Sequence, residues 1–117
     1  MSKARAKGTK WETELVPILR ELYGPQVDRA PLKGTLDRGD FLGVPFQHEA
    51  KNTQKPLFLQ WARTARKKTH DWAILWSGDR RTPDGGPYVV IPLHTFEKVM
   101  KCAMSDYLCL HEGEVYG

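Results

Sequence analysis

Near the start of the chain Trp11, Leu15, Ile18, Leu19, Leu22 and Tyr23 recur at helical spacing, and Gly24-Pro25 ends the stripe. Pro17 falls inside that helix, where it lacks a backbone donor and crowds the preceding turn. The helix is therefore expected to kink there or to begin its regular part late. Residues 26–39 are polar and turn-rich, with room for a short strand around 26–30. Two strands are predicted over 39–44 and 46–52, joined tightly at Val44-Pro45. Pro56 opens a second helix, with Phe58, Trp61, Ala62 and Ala65 on one face and Gln60, Arg63 and Lys67 on another. "DWAILWSG", residues 71–78, is apolar without alternation, which predicts a strand buried on both sides. A Gly- and Pro-rich loop, a strand over 87–92 and a third helix with Phe96, Val99, Met100 and Ala103 inward complete the pattern. This order predicts an α/β sandwich around a mixed sheet.

Composition narrows the class. A chain of 117 residues suits one domain, and 40% hydrophobic residues with four Trp indicate a globular chain rather than a disordered one. No apolar run is long enough to span a bilayer, and no signal-peptide pattern opens the chain. The two cysteines, Cys102 and Cys109, are too few for a disulfide framework and read as buried rather than reactive, so the expected compartment is reducing cytoplasm. The four histidines show no zinc-binding spacing. A formal net charge of +4 favours a polyanionic partner, nucleic acid first.

The informative feature is charge placed within a predicted sheet. Alternation puts Gln47, Glu49 and Lys51 on one face of the second strand and Phe46, His48 and Ala50 on the other. Glu49 and Lys51, about 7 Å apart by strand rise, are costly there unless they pair or serve chemistry. A tight antiparallel return between the two strands would bring Asp40 beside Glu49. Converging carboxylates make a hard oxygen site suited to Mg²⁺ or Mn²⁺. A neighbouring ammonium can hold a phosphate oxygen or orient an attacking water, which is the equipment of phosphodiester hydrolysis. The plainer alternative is an exposed strand carrying a Glu–Lys ion pair.

Lys7-Gly8-x-x-x-Glu12 at the start of the first helix, Asp40 on one strand and Glu49-Ala50-Lys51 on the next resemble the PD-(D/E)xK nucleases. Within them, the layout is similar to the Holliday-junction resolvases of archaea and phages. The resemblance covers residues 7–104 and departs from the family at Gly39, where a Pro is usual, and at Pro17. It implies a restriction-endonuclease-like three-layer sandwich, with a central mixed β-sheet flanked by helices. It also implies a homodimeric, Mg²⁺-dependent endodeoxyribonuclease acting on four-way junctions in DNA recombination, in a bacterial or archaeal cell or encoded by a phage. Asp40 and Glu49 would be metal ligands, Glu12 an additional acid, and Lys51 the residue that orients water or stabilises charge. A same-fold nuclease on flapped, branched or single-stranded DNA and a non-catalytic DNA-binding module remain as alternatives.

Competing roles attach to several of these residues. Thr9-x-x-Glu12 also reads as a capping box. Glu14 lies about 200° around the helix from Glu12, so only one of the two faces the site. Asp37 competes with Asp40 but sits in a turn-like context. The candidate DNA contacts are Lys7, Lys10, Arg29, Lys33, Gln60, Arg63, Arg66, Lys67, Lys68, Arg80 and Arg81, for each of which a solvated surface position is the bland reading. Residues 1–8 read as a mobile basic arm. Residues 106–117 read as a C-terminal extension whose Tyr107, Leu108 and Leu110, with Met100 and Met104, either form a dimer surface or pack on their own domain.

Overall fold

The structure, a computed structural model, describes residues 3–31, 39–79 and 81–110, with side chains described within 8–31, 39–79 and 81–105. Its elements are α1 (Lys3–Tyr23), β1 (Asp28–Arg29), β2 (Phe41–Leu42), β3 (Gln47–Lys51), α2 (Phe58–Lys68), β4 (Trp72–Trp76), β5 (Tyr88–Val90) and α3 (Leu93–Leu110). β4 is the central strand of a mixed three-stranded sheet. β3 runs parallel to it, with Gln47 opposite Trp72 and Lys51 opposite Trp76, and β5 runs antiparallel, with Ile74 opposite Val90. β1 and β2 form a separate two-stranded ribbon. The chain is an α/β protein, with three helices and this mixed sheet among the described residues.

The two sheet faces carry different helices. Alternation along β4 sends Leu75 to one side and Ile74 and Trp76 to the other. Trp11, Leu15, Val16 and Leu19 of α1 pack with Val27, Phe41 and Leu75. Trp61 and Ala65 of α2 pack with Trp72, Ile74 and Trp76. All five β4 residues are buried, as an apolar run without alternation requires. Burying a side chain such as Ile74 contributes roughly 1.5–3 kcal/mol. Trp11 Nε1 donates to the Leu75 carbonyl at 2.9 Å, which fastens α1 to β4.

Several expectations are corrected. α1 is regular from Lys3, so most of the segment read as a mobile arm is helical, as Ala4 and Ala6 favour. The helix does not begin late around Pro17. That residue lies on the exposed side, where water can take the carbonyl that proline leaves without a donor. Thr9, well inside the helix, cannot be its N-cap, and its carbonyl accepts from Thr13 Oγ1 at 2.8 Å. Ile18 and Leu22 are exposed, lining an open apolar groove with Leu15, Leu19, Leu75, Tyr88 and Val89, while Val16 is buried. On α3 the residues expected inside, Phe96, Val99, Met100 and Ala103, are exposed, and among its described side chains Thr95 is the one buried. Cys102 is exposed, contrary to expectation, while Cys109 lies outside the described side chains. The side chains of Lys7, Tyr107, Leu108 and Leu110 also lie outside the described residues, as do Lys33, Asp37 and Arg80. Among the described residues no helix is long and apolar enough to cross a membrane.

Candidate active site

Asp40 is placed by the residue before it. Gly39 has φ +88°, and a Cβ there would sit 2.6 Å from the His48 carbonyl and 2.8 Å from Gln47 Cγ. Only glycine lets the chain press this closely against β3. Proline, with φ fixed near −65°, could not adopt that backbone. Asp40 N donates to the His48 carbonyl at 2.9 Å, and Asp40 Oδ2 accepts from Ala50 N at 2.7 Å. The carboxylate thus caps the outer edge of β3.

Glu12, Glu49 and Lys51 surround that edge. Burial pushes the Asp40 carboxyl up to about 6; the Ala50 amide opposes the rise, Glu12 and Glu49 reinforce it, and Lys51 again opposes it. Glu49 is buried in the middle of β3. Its Oε1 accepts from Gln47 Nε2 at 2.7 Å and lies 3.6 Å from Lys68 Nζ. Its Oε2 lies 3.8 Å from Lys51 Nζ, which is 6.0 Å from the centre of the Trp61 ring. The predicted alternation therefore holds, with Gln47, Glu49 and Lys51 on the α2 side and Ala50 on the α1 side. His48 is buried with Ala50 on the α1 side. Its Nδ1 meets the Phe46 carbonyl at 2.7 Å and its Nε2 the Tyr23 hydroxyl at 2.9 Å. A carbonyl only accepts, so Nδ1 carries the proton. Burial lowers the His48 pKa and keeps the ring neutral.

Glu12 acts on Asp40 electrostatically. In place of a capping role Glu12 Oε2 accepts from Arg29 Nε at 3.3 Å and Arg29 Nη2 at 3.1 Å. Three acids, Glu12, Asp40 and Glu49, thus stand among three cations, Arg29, Lys51 and Lys68. Sequence reasoning placed Arg29 and Lys68 on DNA rather than in this network, and did not give Gln47 a role in the site. The period-2 sequence Gln47-x-Glu49-x-Lys51 carried the signal for Gln47.

The remaining basic candidates divide. Lys10, Gln60, Arg63, Arg66 and Lys67 are exposed. Arg81 is held by Asp79 through Nε and Nη2, both at 2.8 Å, and this side-chain pairing depresses the Asp79 carboxyl to about 2. An open groove of about 400 Å³ lined by Phe41, Leu42, Gly43, Val44, Phe46, Gln47 and Lys68 adjoins the acids through the two partners of Glu49 Oε1.

Carboxylate oxygens at a partly buried edge are a donor set suited to a hard divalent cation. Mg²⁺ needs only one or two carboxylates because it retains several waters, and Asp40 and Glu49 would be the two. The three acids do not form a tighter cage. Among the described residues, the group of three with ligand atoms all within 4.8 Å of one another is His70, Asp71 and His94, which no sequence spacing announced. Comparison of the chain with protein-family models, curated proteins and solved structures gives no match.

Proposed function

We propose that the chain is a Mg²⁺-dependent, structure-specific DNA endonuclease of restriction-endonuclease-like fold, cutting four-way junctions as a homodimer. The observation that carries this reading is the gathering of Glu12, Glu49 and Lys51 around Asp40, whose carboxylate is fixed on Ala50 N at the edge of β3. The fold assignment is supported by the parallel β3–β4 pair and by α1 and α2 packed on opposite sheet faces. A bound Mg²⁺, for which Mn²⁺ can substitute, would supply positive charge against the scissile phosphate. Asp40 and Glu49 would hold it, with Glu12 behind them. Gln47 and Lys68 fix the Glu49 carboxylate, and Arg29 fixes Glu12. Lys51, ion-paired only loosely at 3.8 Å, can turn its ammonium to a phosphate oxygen as charge develops there. Exposed Arg63, Arg66 and Lys67 on α2 would bind the flanking phosphates. The apolar face left on α3 by Leu93, Phe96, Val99, Met100 and Met104 supports a dimer.

The test is nicking of a four-way junction beside matched duplex and flap DNA, with and without Mg²⁺, with light scattering to report the dimer. Paired, Mg²⁺-dependent nicks in the junction are expected. Cleavage confined to flap or single-stranded DNA by a monomer would replace the resolvase reading. Lys51→Ala is expected to slow cleavage by about 100-fold, the effect of removing one charge that stabilises the transition state. Lys51→Arg should recover little of this, because a planar fork does not replace a compact ammonium. Undiminished turnover in the Ala variant would reduce Lys51 to a surface ion pair. For binding, replacing any one of Arg63, Arg66 and Lys67 by Ala should lower the slope of log affinity against log salt by roughly 0.9, since one phosphate then keeps its counterions. A triple Ala variant with an unchanged slope would remove α2 from the interface.

A non-catalytic DNA-binding module is the second reading. It is favoured by the protein donors already engaged with Glu12, Asp40 and Glu49. DNA binding without cleavage under any divalent metal would select it.

A further inference from the structure

His70 follows α2, Asp71 precedes β4, and His94 stands in the first turn of α3. The chain thus brings His94 to a pair 23 and 24 residues before it, at the end of the sheet where the parallel strands begin. The two imidazoles stack, with centres 3.9 Å apart and planes at 15°. One ligand atom from each of the three residues lies within 4.8 Å of the other two, and His94 Nε2 is 3.7 Å from Asp71 Oδ1. Ligands bonded to one zinc at about 2.0–2.1 Å in a tetrahedron stand roughly 3.4 Å apart, so binding requires an adjustment in which the three atoms draw closer and the near-parallel rings splay until their nitrogens converge. His70 and His94 are exposed and can make it, while Asp71 is held in place by Thr95 Oγ1 at 2.8 Å. A hydroxyl bonded to a ligating carboxylate is the outer support such sites use.

From this geometry we infer a second, independent metal site at His70, Asp71 and His94, selective for a borderline divalent cation of the Zn²⁺ class. Two features oppose a cation here: Lys98 Nζ, 2.7 Å from Asp71 Oδ2, and the positive end of the α3 dipole. A single carboxylate against those charges does not hold Mg²⁺, which also avoids imidazole. Zn²⁺, Co²⁺ and Ni²⁺ bind imidazole well, so the two rings decide the selectivity. The ion takes the place of the proton on His94 Nε2, which now donates to the His70 carbonyl at 2.8 Å. Three protein ligands leave at least one position open for water or an external ligand. The mechanical consequence lies in α3, much of whose described surface is exposed. A metal joining His94 to the start of β4 would pin its first turns to the sheet.

The test uses the full chain without a polyhistidine tag. Titration with Co²⁺ and then Zn²⁺ in a large excess of Mg²⁺, which fills the carboxylate site at Asp40 and Glu49, should show one further site per chain, with visible Co²⁺ absorption abolished by Zn²⁺. At free Zn²⁺ 100 times the dissociation constant the melting temperature should rise by about 10 °C, with slower hydrogen exchange in the first turns of α3. The double variant His70→Gln, His94→Gln should lose more than the roughly 10–100-fold in affinity that outer-shell changes cost. Asp40→Asn should leave Zn²⁺ binding unchanged. Binding that survives the histidine variant, binding abolished by Asp40→Asn, or no saturable Co²⁺ signal would each overturn the site. None of these readouts depends on DNA cleavage.

Discussion

Asp40→Asn is expected to abolish cleavage and, at neutral pH, to make the protein more stable. Burial raises the Asp40 carboxyl from 3.8 to about 6, so the folded protein binds this proton more tightly than the unfolded chain does. Above pH 6 the group is ionised in both states, and the folded state carries the whole cost of its burial. Two pKa units correspond to about 3 kcal/mol. As pH falls from about 6 to about 4, Asp40 becomes protonated in the folded state and the cost disappears. Asparagine removes the charge while its side-chain oxygen still accepts from Ala50 N. A gain of about 2 kcal/mol is expected at pH 7, close to 8 °C for a chain of this length, shrinking toward zero near pH 4. Thermal melts of the two proteins across that range check it. The apparent affinity of the wild type for Mg²⁺ should weaken as pH drops below about 6, because proton and metal then compete for Asp40. If Asp40→Asn is destabilised to the same extent at every pH, Asp40 is a sheet-edge cap and nothing more.

Glu49→Ala is also expected to abolish cleavage, with the opposite effect on stability. Glu49 is buried and accepts from Gln47, with Lys51 and Lys68 on either oxygen. Its removal takes from two ammonium groups and an amide the acceptor they share. Both lysine side chains are about one-third exposed, at 33% and 32%, so water and screening recover part of the stability. A destabilisation of about 2 kcal/mol is therefore expected, below the 3–5 found when a fully buried pair is broken. Chemical denaturation of the variant measures it. Two acids of one site with opposite effects on stability and the same effect on cleavage would be hard to produce by misfolding. A Glu49→Ala protein that cleaves at the wild-type rate would sink the site.

How far local pattern carried depends on how far the partner lies along the chain. The β4 run and the alternation of β3 were legible from neighbouring residues alone, because a strand's faces follow from its period of two and a central strand must be apolar on both. The α2 stripe was legible for the same reason at a period of 3.6. The α1 stripe was legible at the same period, though Ile18 and Leu22 on it line an open groove rather than a closed core. For α3 the period was read correctly and the burial was not: how much of a helix the sheet covers depends on where that helix docks.

The charges divide in the same way. That Asp40, Glu49 and Lys51 are costly in a sheet, and so worth attention, was already plain from their order and spacing. Which acid of α1 joins them, which cations hold them, and why a glycine precedes Asp40 depended on approaches across long stretches of chain: Glu12 with Arg29, Glu49 with Lys68, Gly39 against the His48 carbonyl. The same holds for His70, Asp71 and His94, where two neighbours meet a residue two elements away. Periodicity and turn chemistry act over a few residues and are written in sequence. Electrostatic pairing and ligand geometry act through space over a few ångströms, and only the packing of α1, α2 and α3 on the sheet decides which side chains come that close.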